Sequence, residues 1–219
     1  GADLSGADLT GADLSGATLF GVFGQVTGTP SALPDGWIIL NGNLVVDDWF
    51  MVGEYSIGPG ADLTGADLTN INFTGADLTD AILTGTNLTG TDLTNATLNL
   101  VQSGGITGTP HALPQDWQLI DGFLFGPGAD LTGANLTGKD LSSVNLFAAT
   151  LTNATLTNTN LGSGLTGAEL SEVKSGGIQG TPQSMPIRWQ LINGYLISGD
   201  ADLTDAVLTN VDLSDVNLI

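Results

Sequence analysis

Cysteine is absent from this 219-residue chain, so no disulfide can staple it and no thiolate can hold a metal. Strong cations are almost as scarce: Lys139, Lys174 and Arg188 stand against 23 carboxylates, for a net charge of −20. Phosphate backbones are bound by clustered Lys and Arg, so nucleic acid is not an expected partner. Anionic membranes are repelled for the same reason. No apolar run approaches the roughly 18 residues of a membrane-spanning helix, and membrane insertion is not expected either. With one histidine, His111, no transition-metal set can be assembled. No Ser/His/Asp combination, phosphate-binding glycine motif or EF-hand spacing is present. A catalytic carboxylate pair would need a cleft and shifted pKa values, which a convex wall does not offer. The expectation is therefore a protein that is not an enzyme and carries no cofactor. Weak Ca²⁺ binding along Asp/Asn faces is the one ligation these side chains leave open. No secretory leader is visible, but the sequence opens at GADL inside a repeat, and a start further upstream is expected.

What the chain has instead is a period. Residues 61–100 divide without insertion into eight units of five, ADLTG-ADLTN-INFTG-ADLTD-AILTG-TNLTG-TDLTN-ATLNL. Five fits neither the 3.6 of a helix nor the 2 of a flat strand. For Leu63, Leu68, Phe73, Leu78, Leu83, Leu88, Leu93 and Leu98 to share one interior, the chain must turn a quarter of a circle per unit. It then closes a square coil every four units. The small residue two places earlier (Ala61, Ala66, Ala76, Ala81, Ala96) also points inward, and the Asp/Asn, Thr and Gly/Asn positions face water.

A-[DN]-L-[TS]-G in tandem resembles the pentapeptide-repeat family. The resemblance implies an all-β fold, a right-handed quadrilateral parallel β-helix, and covers 25 units, a little over half the chain. One continuous solenoid over 1–219 is expected. Its pentapeptide blocks are 2–21, 61–100, 129–172 and 201–219, and lateral β-hairpin inserts occupy 22–60, 101–128 and 173–200.

The inserts share a second motif, V-x-S-G-G-I-x-G-T-P-x-x-[LM]-P-x-x-W, with the first copy one residue shorter. Each continues as WIIL-NG-NLVV, WQLI-DG-FLFG or WQLI-NG-YLIS. Asn-Gly or Asp-Gly between β-formers signals a two-residue type I′ hairpin, placing turns at Asn41-Gly42, Asp121-Gly122 and Asn193-Gly194. One face of each hairpin would carry the anchors Trp37, Trp117 and Trp189, with Ile39/Leu44, Leu119/Leu124 and Leu191/Leu196, and pack on the solenoid. The other face, with Asn43, Gln118, Gln190 and Tyr195 beside Ile38, Ile120 and Phe123, is expected to be exposed. The Gly-Thr-Pro and Leu-Pro steps read as a turn-rich loop with no ladder bonds to lose. His111 would be a solvent-facing residue of that loop. The first insert carries about twelve extra residues, assigned to 45–56, where Asp47, Asp48, Trp49, Phe50, Met51 and Tyr55 form a candidate surface for a protein partner. The alternative is that Trp49 and Phe50 fold back on the hairpin.

Residues one coil apart should stack about 4.8 Å from one another, and like charges there would repel. Reading 20 residues on, no Asp falls over an Asp within 61–100 or 129–160: Asp67 meets Asn87, Asn72 meets Asp92, Asp140 meets Asn160. Lys139 occupies an Ala position, which predicts a bulge or an escape to solvent. The four-residue step from Leu161 to Leu165 predicts a slip near Gly162-Ser163-Gly164. Five Asn-x-Thr sequons (Asn72, Asn87, Asn95, Asn135, Asn153) arise from the repeat itself, and imply glycosylation only in a secreted eukaryotic protein.

Three functions follow. Repeats running to both ends suggest a structural rod, its copies stacked end to end in an extracellular filament or surface array. The family resemblance implies an alternative, an acidic DNA mimic that binds a topoisomerase or another DNA-binding protein. The Thr columns suggest a third, ice binding, which the adjacent Asp columns oppose.

Overall fold

In a computed structural model, residues 4–17, 26–34, 37–40, 43–46, 50–52, 55–162 and 164–218 are described. Each five-residue unit bends at its own turn. The N–H of Ala66 donates to the Leu63 carbonyl (2.9 Å), and the same bond recurs from Ala76 to Phe73 and from Ala96 to Leu93. The fifth residue of the unit takes positive φ, as at Gly65 (69°), Asn70 (59°) and Asp80 (59°). That is the third position of a type II turn and selects Gly, Asn or Asp there. Four turns close one coil.

Coils stack through parallel pairs 20 residues apart, among them Asp62 with Ile82, Asp67 with Asn87, Asn72 with Asp92 and Asp77 with Thr97. Asp130 with Thr150, Asn135 with Thr155 and Asp140 with Asn160 continue the pattern in the next block. The last pair belongs to two-residue strands, β7 (Asp140–Leu141) and β8 (Asn160–Leu161). Past the shortened unit the offset falls to 19, with Thr150 on Glu169, Thr155 on Lys174 and Asn160 on Gln179. Leu161 and Leu165 both stay buried, so one missing residue is absorbed without losing the column.

Leu63, Leu68, Phe73, Leu78, Leu83, Leu88, Leu93 and Leu98 form the axis, each no more than 2% exposed. Each such burial contributes about 1.5–3 kcal/mol, most of it offset by chain ordering. In the coil at 201–218 the same positions, Leu203, Leu208 and Leu213, are only half-buried, and Leu218 is 49% exposed.

The Gly-Thr-Pro segment is not a free loop. Gln102 pairs with Ile82, Thr107 with Asn87 and Ala112 with Asp92, and Thr27 and Ala32 pair likewise with Asp8 and Asp13. The motif therefore winds on as three disguised units, VQSGG-ITGTP-HALPQ. Their inward residues exchange size: Val101 and Ile106 fill the usual alanine slot, while Ser103 stands where leucine belongs.

The space left at Ser103 is taken by the hairpin. β5 (Gln118–Ile120) pairs antiparallel with β6 (Phe123–Phe125), and β9 (Gln190–Ile192) with β10 (Tyr195–Ile197). Asp121 (47°) and Gly122 (82°), like Asn193 (48°) and Gly194 (79°), have the two positive φ values of a type I′ turn. In the first insert, β1 (Trp37–Leu40) pairs with β2 (Asn43–Val46), and β3 (Phe50–Val52) with β4 (Tyr55–Ile57). The turn at Asn41-Gly42 lies outside the described residues.

This pairing corrects the boundary of the extra segment. WFMVGEYSIGPG at 49–60 matches WQLIDGFLFGPG at 117–128 position by position, and Ile57, like Phe125, is fully buried. The β3–β4 hairpin is thus the counterpart of β5–β6, and the additional twelve residues are 37–48.

Candidate functional site

The expected exposed hairpin face is half-buried, and the reason is where the hairpin lies. On one side the coils stay in contact, Gln102 pairing with Asp130 across 28 residues. Over Ile106 the hairpin tip takes the place of the next coil, and the Ile106 N–H donates to the Gly122 carbonyl (3.0 Å). Leu124 enters the core of the coils before it, together with Leu119 and Trp117. Phe125, Ile120 and Phe123 pack against the coils that follow, and Trp117 touches both cores. The hairpin is a wedge between two coils, with apolar residues on both faces for that reason.

Polar bonds seat it. The Leu124 N–H donates to Ser103 Oγ (2.9 Å), and Gln118 Nε2 to the Ser143 carbonyl (2.9 Å). The β9–β10 hairpin repeats the design: Leu196 N–H to Ser175 Oγ (2.9 Å), Ile178 N–H to the Gly194 carbonyl (3.0 Å), Gln190 Nε2 to the Asp215 carbonyl (3.0 Å). Trp189 and Leu191 pack beside Leu196 as Trp117 and Leu119 do beside Leu124.

Lys139 neither bulges nor escapes. Its Nζ lies 2.8 Å from Asp121 Oδ2 at the hairpin tip and 5.6 Å from the Phe123 ring centroid. Its backbone keeps the ladder, with the Asn160 N–H bonded to the Lys139 carbonyl (2.9 Å). Sequence reading missed this pair, although a signal existed: the cation has an acidic turn residue, while Asn193 in the last hairpin faces a block with Val211 at the matching place.

Between that tip and the coil wall runs a groove of about 420 Å³, lined by Ile106, Pro110, His111, Leu113, Leu119 and Asp121. The wall is therefore not convex everywhere. His111 is exposed on its rim. Of the candidate contact residues, Phe50 and Met51 lie in β3 and Tyr55 in β4; Asp47, Asp48 and Trp49 lie outside the described residues. Trp37 opens β1.

The outward walls are a carboxylate lattice. Asp67 Oδ1 accepts the Thr69 N–H (3.2 Å) and hydroxyl (2.5 Å), and Asn87 Nδ2 from the coil above (3.1 Å). Asp140 accepts the Ser142 N–H (3.1 Å) and Asn160 Nδ2 (3.0 Å) in the same way. The hydroxyl and N–H of the residue two places on hold Asp8, Asp62, Asp67, Asp92, Asp140 and Asp202 below the usual carboxylate range. His111 adds a small favourable charge at Asp92. Among the described residues no group of three or more His, Cys, Asp and Glu is placed to hold a metal ion, and no helix is long and apolar enough to cross a membrane.

A four-sided coil with one apolar residue per five, under a hydrogen-bonded polar skin, defines a five-residue repeat protein. The pentapeptide-repeat family model matches residues 1–22, 60–99, 128–162 and 199–219, over half the chain, and the chain belongs to that family. Its fold is the right-handed quadrilateral β-helix, and its members are in general non-enzymatic structural and interaction proteins. The chain is similar to HetL, a pentapeptide-repeat protein involved in heterocyst differentiation regulation from the cyanobacterium Nostoc sp. strain PCC 7120. That likeness has 22% identity over 78% of this chain and 86% of HetL, with a TM-score of 0.21. No curated protein matches the sequence.

Proposed function

We propose that this chain is a non-enzymatic structural rod whose coils stack on those of other copies, as a segment of an extracellular filament or surface array. One observation carries the reading. Coil is bonded to coil by the same parallel pairs, Asp62 with Ile82, Ile82 with Gln102 and Gln102 with Asp130, so the surface that fits one coil best is another coil. The ladder groups and the apolar column repeat in the same geometry from coil to coil, so coils of two copies can join as coils of one copy do. Head-to-tail stacking of that kind closes no ring and grows along one axis. A net charge of −20 keeps such rods apart at low salt, so screening favours assembly.

Negative-stain images and sedimentation at rising salt and concentration test this. Rods that lengthen with concentration are expected, and lengthen further as salt screens the like charges of the copies. Short particles of one size under every condition would refute end stacking.

A further inference from the structure

Three of the large apolar side chains exposed among the described residues share one corner of the rod: Leu100 (45% exposed), Phe147 (53%) and Ile187 (91%). The ladder places them there. The Asp80 N–H donates to the Asn99 carbonyl (2.9 Å), Leu100 to Gly128 (2.7 Å), Gly128 to Phe147 (2.8 Å) and Ala148 to Thr166 (3.0 Å). Leu165 then bonds to Ser184 in the coil that carries Ile187 and Arg188. Going up the corner, the turn residues are Asp80, Leu100, Gly128, Ala148, Gly167 and Arg188.

The corner is also strained. Leu100 (φ 57°), Ala148 (55°) and Arg188 (73°) hold left-handed backbone where most other units use Gly, Asn or Asp; Glu172 (57°), at a neighbouring corner, is the one other such residue among the described residues. None of the three side chains belongs to either apolar core or to the residues packed against it. Strain and exposure kept together point to contact with something outside the molecule.

We propose that this corner pairs, antiparallel, with the same corner of a second copy, about a two-fold axis between the levels of Gly128 and Ala148. The six levels are self-complementary under that operation. Phe147 of one copy meets the flat Pro127-Gly128 step of the other. Leu100 meets Thr166-Gly167, again a bulky side chain over a glycine. Ile187-Arg188 meets Thr79-Asp80, so the only arginine faces an exposed carboxylate. Each contact occurs twice, as an isologous interface requires. At roughly 4.8 Å per coil the seam is about 24 Å long. Such a narrow edge falls in the weak class of interfaces, below about 1,200 Å², with a dissociation constant on the order of 10 µM.

The proposal does not depend on end stacking, and the two give different masses: a corner pair stops at two copies, whereas stacked coils continue. Sedimentation velocity of the full chain from micromolar to millimolar concentration reads this directly. Phe147→Thr and Leu100→Gly install residue types that ordinary units carry there, so the coil keeps its winding, which far-UV circular dichroism checks. Each should weaken the dimer by roughly tenfold. Arg188→Asp and Asp80→Lys should each weaken it by a similar, roughly tenfold factor, and together restore it, because the swapped charges meet again across the axis. A chain that stays monomeric throughout, a dimer that survives Phe147→Thr and Leu100→Gly together, or a charge swap that does not recover would each overturn the proposal.

Discussion

Lys139 and Asp121 meet at 2.8 Å although 18 residues separate them, and their contact closes a hairpin tip onto the coil above it. The ammonium stem is only 13% exposed, whereas the carboxylate is largely open to water. Removing the acid alone leaves a half-buried cation without its partner. Asp121→Ala should therefore cost about 1–3 kcal/mol in urea unfolding. The double change Asp121→Asn with Lys139→Val copies Asn193 and Val211 of the last hairpin, and should fall within about 1 kcal/mol of the parent. Equal losses in both variants would show that the pair does not hold the tip.

Leu100 occupies a turn position that most units fill with Gly, Asn or Asp, with φ at 57°. A left-handed conformation costs an ordinary residue roughly 1–2 kcal/mol, part of which returns as unfolded-state entropy when glycine replaces it. Leu100→Gly should raise the stability of the monomer by up to about 1 kcal/mol, seen as a higher urea midpoint at concentrations where the chain is single. An unchanged or lower midpoint would mean that the leucine packs more favourably than its exposure indicates.

Gly126 lies directly under the Trp117 indole, and a methyl group there would overlap the ring. Gly126→Ala should therefore lift Trp117 from the junction of the two cores. The expected signs are a red-shifted Trp emission and weaker near-UV circular dichroism, with the far-UV signal of the coils retained. An emission spectrum like the parent's would place the indole elsewhere.

Leu78 is fully buried on the axis. Leu78→Ala should cost about 2–5 kcal/mol, and Leu78→Asp more, because the carboxylate finds no partner there. Thermal melts followed by circular dichroism measure both. A melt of the Asp variant that overlays the parent would contradict the inward column.

Acid should loosen the walls. The folded pKa of Asp67 and Asp140 is depressed, chiefly by the neighbouring Thr69 and Ser142 hydroxyls and N–H groups. Their contribution is present above the unfolded carboxylate pKa, near pH 4, and is lost as pH falls through the lower folded value. Asp67→Asn keeps an acceptor for Thr69 but cannot titrate, as Asn87 shows in the coil above with a 3.1 Å bond to the Thr89 N–H. That variant should lose less stability between pH 4 and pH 2 than the parent. An identical acid dependence would remove the Asp67 lattice bonds from the account.

The sequence by itself determined the coil. One large apolar residue in five, spaced by small residues and polar turns, has a single way to share an interior, and stacking 20 residues apart follows from four such turns. Charge placement along that period was legible too, because Asp67 over Asn87 needs only the count. The tertiary structure decided what happens between the blocks. Val101-Gln102-Ser103 hides its register because the large and small inward residues trade places, so the pattern fails while the winding continues. The missing volume at Ser103 is supplied by Leu124, from a hairpin 21 residues away, and the Asp121–Lys139 contact depends on that docking. The shared corner of Leu100, Phe147 and Ile187 likewise depends on how many residues each insert spends before its coil closes. Local periodicity fixes which side of the chain faces inward; only packing in three dimensions fixes what arrives from elsewhere to fill a gap.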